Sequence, residues 1–295
     1  MGYSSISFSV LSAGVLSTIL GAGSTLGNVG TLLSIGVPFA AIQILRPISW
    51  WISSKIFSRN LESFKDCLSI SHVVHKNYGC TSRWISTILT LLTEMGIVIA
   101  QMLAVSYILS SMLGLDKNTT SIISFLMITI FSLMGGIRTI VQTGVFQFCL
   151  FFLLLPLSYT IISYKYGGVS SLNEGFQINT WVDTTIPKST LMLWAIFSLL
   201  PECSSSFIQK CLIARDKERL EASLKTVGMV YIPIMLSLWF IAYTIKVTAP
   251  DIAPDTALLY YITNMCPDFL KALVSVGLIA IIMGMCDGIF HSCSV

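Results

Sequence analysis

Hydrophobic residues run along this chain in eight long blocks, at about 8–29, 31–56, 84–113, 119–136, 140–164, 189–209, 223–247 and 269–295. A helix crosses the roughly 30 Å of bilayer hydrocarbon in about 20 apolar residues, and each block is near or above that length. The pattern predicts an all-α polytopic membrane protein with a single transmembrane domain over 1–295. Between the second and third blocks, "SRNLESFKDCLSISHVVHKNYGC" is too polar to cross, so the segment 57–83 is expected to lie at the interface as an amphipathic stretch. The other long connections fall at 165–188 and 208–222.

The first block is interrupted by polar and small residues. "LGAGSTLGNVG", Leu20 to Gly30, sets four glycines beside Ser24, Thr25 and Asn28 in the middle of an apolar run. Gly21, Gly23 and Gly27 read G-x-G-x-x-x-G, one residue too long for a dinucleotide fingerprint, and no βαβ pattern surrounds them. Two readings remain open. The helix unwinds here because its bare backbone lines a cavity, the one place where lipid permits irregular backbone; or Gly23 and Gly27 form a close helix-packing pair.

Composition agrees with the blocks: 11% of residues are charged, against roughly 25% in a soluble domain, and mean hydropathy is +0.82. The charges also orient the chain. Arg46, Lys55, Arg59, Lys65, Lys76, Arg83, Arg138, Lys210, Arg215, Lys217, Arg219 and Lys225 fall on one face; Lys117, Lys165, Lys188, Lys246 and Lys271 fall on the other. The positive-inside rule puts the larger group in the cytoplasm, with both ends of this chain, and with 57–83 and 208–222 cytoplasmic and 165–188 outside. The expected location is the plasma (inner) membrane. The eight cysteines follow no zinc or secreted-disulfide spacing. "MGYSSISFSV" has no basic region of a signal peptide, and Ile6 stands where a myristoylation signal wants Ser or Thr. Asn118-Thr119-Thr120 is a sequon on the predicted outer face, in a loop that hugs the membrane.

Four stretches resemble, in order and spacing, the sodium/solute symporter family: "LSISHVVHKNYG" (68–79), "GGIRTIVQTGVFQ" (135–147), "LPECSSSFIQKCLIARDKERLEAS" (200–223) and "MGMCDGIFHSCSV" (283–295). The resemblance covers nearly the whole chain. It implies a leucine-transporter-like inverted-repeat fold, here partial, with the first five-helix repeat and three helices of the second. It also implies sodium-coupled symport of a small organic solute by alternating access, with two broken helices facing each other at mid-membrane. That favours unwinding over packing for residues 20–30.

The resemblance carries over residues as well. The coupling Na⁺ is expected on the carbonyls of Ser17 and Leu20 and on Ser294; Val295 stands where a second hydroxyl is usual, and its side chain offers a hard cation no oxygen. Substrate-facing positions fall on Ser24, Gln43 and Arg46. Arg46 either grips a solute carboxylate bidentately or snorkels to the headgroups near Trp50 and Trp51. Gly144 stands where many relatives carry an Asp. Glu94 and Gln101 either reach the cavity or tie neighbouring helices, and Asp287 either organises the site or pairs helices. His72 and His75 share a helical face without a third ligand in the sequence nearby, so no metal beyond sodium is expected.

The partners expected are an amino acid, organic anion or vitamin-like solute, the lipid bilayer and a second chain completing the fold, but not nucleic acid. Family members have more helices than this chain supplies, so it is expected to be truncated at both ends. The alternative reading is a non-transporting remnant or one part of a split symporter. No paired carboxylates or G-x-S-x-G elbow occur within the blocks, which argues against an enzyme.

Overall fold

The computed structural model describes residues 7–64, 66–134, 156, 160, 164, 181, 185–214 and 216–294. Their regular elements are helices. α1 (Phe8–Ile19) and α2 (Asn28–Ile35) are joined through a wide π-helical turn, Gly23–Gly27, and follow as α3 (Val37–Gln43), α4 (Leu45–Asn60), α5 (Ile70–Leu113) and α6 (Lys117–Met134). The chain continues as α7 (Lys188–Leu199), α8 (Ser205–Ile213), α9 (Lys217–Thr248), α10 (Ala257–Tyr260), a second π-helical turn at Tyr261–Met265, and α11 (Asp268–Cys293).

Among the described residues three helices, α5, α9 and α11, are long and apolar enough to cross a membrane, and α1 with the segment Gly23–Ile35 makes a fourth span bent by 66°. The most apolar stretch of α5 is 28% buried, against 56% for α9 and 50% for α11. Interior and perimeter are thereby separated. Leu238, Ile241, Leu278 and Ile282 are enclosed in the main core. Ile88, Leu92 and Ile99 of α5 are exposed on a surface that in a membrane faces lipid.

Three glycines with positive φ set the boundaries. Gly36 (φ 77°) ends α2, and the carbonyl of Trp181 occupies the space a Cβ would need while accepting the Val37 amide at 3.1 Å. The first two blocks thus divide at Gly36, not near Gly30, because Gly30 continues the helix with a Cβ position only 2.5 Å from the Pro254 carbonyl oxygen. Gly79 (φ 85°) kinks α5, so part of the expected interfacial segment is the helical turn before the kink. Gly114 (φ 67°) ends α5. Beyond it the Asp116 carboxylate accepts the amides of Asn118 and Thr119 at 3.0 Å and the Thr119 hydroxyl at 2.6 Å, which caps α6 and holds that carboxyl below its ordinary range.

Two expectations are corrected. The block 189–209 is not one helix but two, α7 and α8, separated by extended backbone at Leu200 and Ser204. The supposed loop 208–222 is largely helix, and Lys210, counted among the cytoplasmic charges, is buried in α8. Most of the fifth block with Gly144, most of the loop 165–188, and Val295 lie outside the described residues.

Gly36→Ala combines a left-handed backbone with a clash against Trp181, and is expected to destabilise by about 2 kcal/mol or more. Gly96→Ala, where a Cβ meets open space, should stay within about 1 kcal/mol of the parent in the same thermal unfolding series in detergent. The Asp116 cap adds a pH signature. Its folded-state pKa is lowered, so its contribution is present above the unfolded value, near about 4, and is lost as pH falls through the folded value. Hydrogen exchange at Asn118 and Thr119 should rise only below that range, and Asp116→Asn should remove the dependence.

Candidate functional site

Two interruptions of helix face one cavity. At the first, Leu20 leaves α1 with extended dihedrals (φ −83°, ψ 113°). The amide of Gly21 donates to Ser24 Oγ and that of Ala22 to Gln101 Oε1, both at 2.8 Å. In a continuous helix these two amides would donate to the carbonyls of Ser17 and Thr18, which are therefore stripped of their helical donors. The Gly21 carbonyl in turn accepts the hydroxyls of Ser24 (3.1 Å) and Thr25 (2.7 Å). Gly21 is required by close approach: the sulfur of Met285 lies where a Cβ would go, with Gln101 Oε1 3.0 Å away.

The second interruption is 200–204. The Leu200 carbonyl accepts Ser49 Oγ at 2.6 Å, and Glu202 Oε1 accepts the Ser204 amide at 3.3 Å. The Glu94 carboxylate lies against the first amides of α8, those of Ser205 and Ser206. A carboxylate against a helix N-terminus satisfies orphan donors and the helix dipole together.

Between the interruptions lies a cavity of about 250 Å³. Ser24, Gln43 and Arg46, the three positions expected to face substrate, all line it, and so does Glu94. Arg46 points at Glu202, with Nη1 3.5 Å from Oε2, and does not run to the headgroups. Gln43 Nε2 donates to Asn28 Oδ1 at 3.1 Å, and Asn28 Nδ2 donates to the Ser24 carbonyl at 3.0 Å. That chain leaves Gln43 Oε1 buried without a partner, and Glu94 Oε2 is in the same condition. The cavity is therefore lined by one guanidinium and two carboxylates, and two of its lining residues, Gln43 and Glu94, each hold an idle acceptor.

The expected ion ligands divide. Ser17 and Leu20 sit at the first interruption, both buried. On α11, Met285 faces Gly21 and Gly288 faces Thr18, 3.4 Å from its Cγ2. The two helices run antiparallel, so Ser294, six residues past Gly288 and about 9 Å further along the axis, is not brought to Leu20. Its exposed hydroxyl donates to the His291 carbonyl at 2.7 Å. The oxygens on α1 fit a hard cation. Its facing surface on α11 offers a thioether and a glycine.

Among the described residues no group of three or more His, Cys, Asp or Glu could hold a metal ion, and His72 and His75 have no third ligand. Glu202 and Tyr231 are lining residues the sequence reading did not single out, and Asn28, read there only as part of the interruption, lines the cavity with them. Pro201 followed by three serines was the available signal for Glu202, since that composition interrupts a helix. Tyr231 carried none.

The family model described as Sodium:solute symporter family matches residues 1–295. The chain belongs to that family. Among solved structures, a Na⁺-coupled sialic acid symporter in a substrate-bound, outward-open state matches with TM-score 0.81 at 18% identity, over 97% of this chain and 64% of that one. At that identity the likeness shows the fold, which is the architecture the sequence resemblance implied. The chain spans about two thirds of the length of that symporter, 64%. No curated protein matches by sequence.

In this symporter-family fold, Gln101 is the acceptor that keeps the first interruption open. Gln101→Leu leaves the Ala22 amide buried and unpaired, at about 1–3 kcal/mol. Chemical denaturation should show that loss, together with faster hydrogen exchange at Gly21 to Ser24, whereas Gln101→Glu, which keeps the acceptor, should retain slow exchange. Unchanged exchange in Gln101→Leu would remove Gln101 from this role.

Proposed function

We propose that this protein is a sodium-coupled symporter that moves a small zwitterionic solute of amino-acid size across the membrane by alternating access. The observation that carries the reading is the cavity between two interrupted helices, lined by the Arg46–Glu202 ion pair and by Glu94. A solute carboxylate replaces Glu202 on the Arg46 guanidinium, which is built for bidentate carboxylate binding. An ammonium takes the idle acceptors Gln43 Oε1 and Glu94 Oε2. Organic anions and vitamin-like carboxylates satisfy only the Arg46 half.

The carbonyls of Ser17 and Leu20 would hold the coupling ion, and Ser294 is too far along α11 to join them. Na⁺, when bound, supplies a positive charge at the end of α1 next to the solute. Thermodynamic linkage then requires that each ligand tighten the other by the same factor. Thr18 and Ser24 both line the cavity within a few residues of those carbonyls, so occupancy at either place restrains the same backbone.

The test is uptake into liposomes carrying the full-length protein under an inward Na⁺ gradient, with a panel of labelled amino acids, organic anions and sugars. Gradient-dependent uptake of an amino acid, weakened about thirtyfold or more in affinity by Arg46→Gln, is the expected result. Uptake of a sugar with Arg46→Gln silent would overturn the zwitterion assignment, and gradient-independent uptake would overturn the coupling.

A further inference from the structure

Lys210 is a cation buried deep in α8 with no hydrogen-bond partner for its Nζ. That atom lies 4.0 Å from the place a Cβ would occupy on Gly288, and the same place is 3.4 Å from Thr18 Cγ2. The ammonium is thus lodged where α8, α11 and α1 converge, just beside the segment of α1 whose carbonyls have lost their helical donors. We propose that the Lys210 ammonium is a tethered cation that competes with Na⁺ for the end of α1. The proposal rests on the symport reading above.

An ammonium has three donors and no acceptor, and burying one unpaired is expensive. Its surroundings offer counter-charge but no bond. On α11, Asp287 is buried at the position before Gly288 and acts on Lys210 electrostatically, and His291, one turn further, feels the same charge. α1 carries no titratable residue. On α5, Glu94 faces the amides of Ser205 and Ser206, and in the turn Leu61–Phe64, Glu62 pairs with Lys217 at 3.2 Å. The neighbouring α1 carries the carbonyls of Ser17 and Thr18, stripped of their helical donors and the same kind of oxygen that a hard cation requires.

The surface of α11 agrees with this. Gly288 has no side chain, which leaves room for the ammonium, and Met285 supplies sulfur, not oxygen. Lysine's four-carbon stem lets Nζ swing between Asp287 and α1. Two cations cannot share one set of carbonyls in a low-dielectric site, so Na⁺ enters only as the ammonium retreats toward Asp287.

Equilibrium binding of radioactive Na⁺ to the purified full-length protein reads this without any transport assay. Lys210→Met should bind Na⁺ at least about fivefold tighter than the parent, and Lys210→Gln is the second neutral variant should Met fail to fold. Lys210→Arg, which keeps the charge, should bind no tighter than the parent. Parent-like affinity in a folded neutral variant would overturn the competition while leaving sodium coupling intact. No Na⁺ binding in the parent and in the neutral variants alike would overturn both readings.

Discussion

Everything distinctive in this fold depends on where backbone amides go when a helix is interrupted inside a membrane. Lipid offers them nothing, so an interruption survives only if side chains replace the lost partners. Here they do so in pairs. Gln101 and Ser24 take the amides of Ala22 and Gly21, and the Glu94 carboxylate stands against those at the start of α8. Once those amides are diverted, α1 ends in bare carbonyls and α8 begins beside a carboxylate, and the space between them is polar by construction.

That construction explains why the cavity is both charged and incomplete. Arg46 and Glu202 neutralise one another across it, but Gln43 Oε1 and Glu94 Oε2 are acceptors left over after the internal network has closed. In a low-dielectric interior an idle acceptor is a standing penalty, and it persists where a ligand removes it. The same reasoning applies in mirror image to Lys210, whose idle group is a donor. Idle acceptors in the cavity and an idle ammonium beside Gly288 both stand near the end of α1.

Much of this was legible in the sequence. Glycines with Ser24, Thr25 and Asn28 inside an apolar run announced the first interruption, because such residues weaken a helix and bond to its backbone. Glu94 and Gln101 stood out as polar residues in an otherwise apolar helix. The second interruption was missed although Pro201 and three serines marked it, since hydropathy averages over a window and reads 189–209 as continuous. Lys210 was misplaced for a related reason: charge counting assigns a lysine to the nearest loop, and only packing reveals that α8 carries it inward. The ion ligand on α11 failed through register, because identifying a hydroxyl does not locate it along an antiparallel partner.

Glu94 and Gln101 stand on one helix, seven residues apart, which is close to two full turns. A single rod therefore holds the first interruption with one side chain and the second with another, both on the same face. Each residue of an α-helix turns the next by about 100°, so one inserted or deleted residue between them would swing one partner away while the other stayed put. Over its lifetime as a gene, this stretch of α5 can change letters but not length, whereas the turn at Gly114, beyond the end of the helix, can absorb insertions without disturbing either contact.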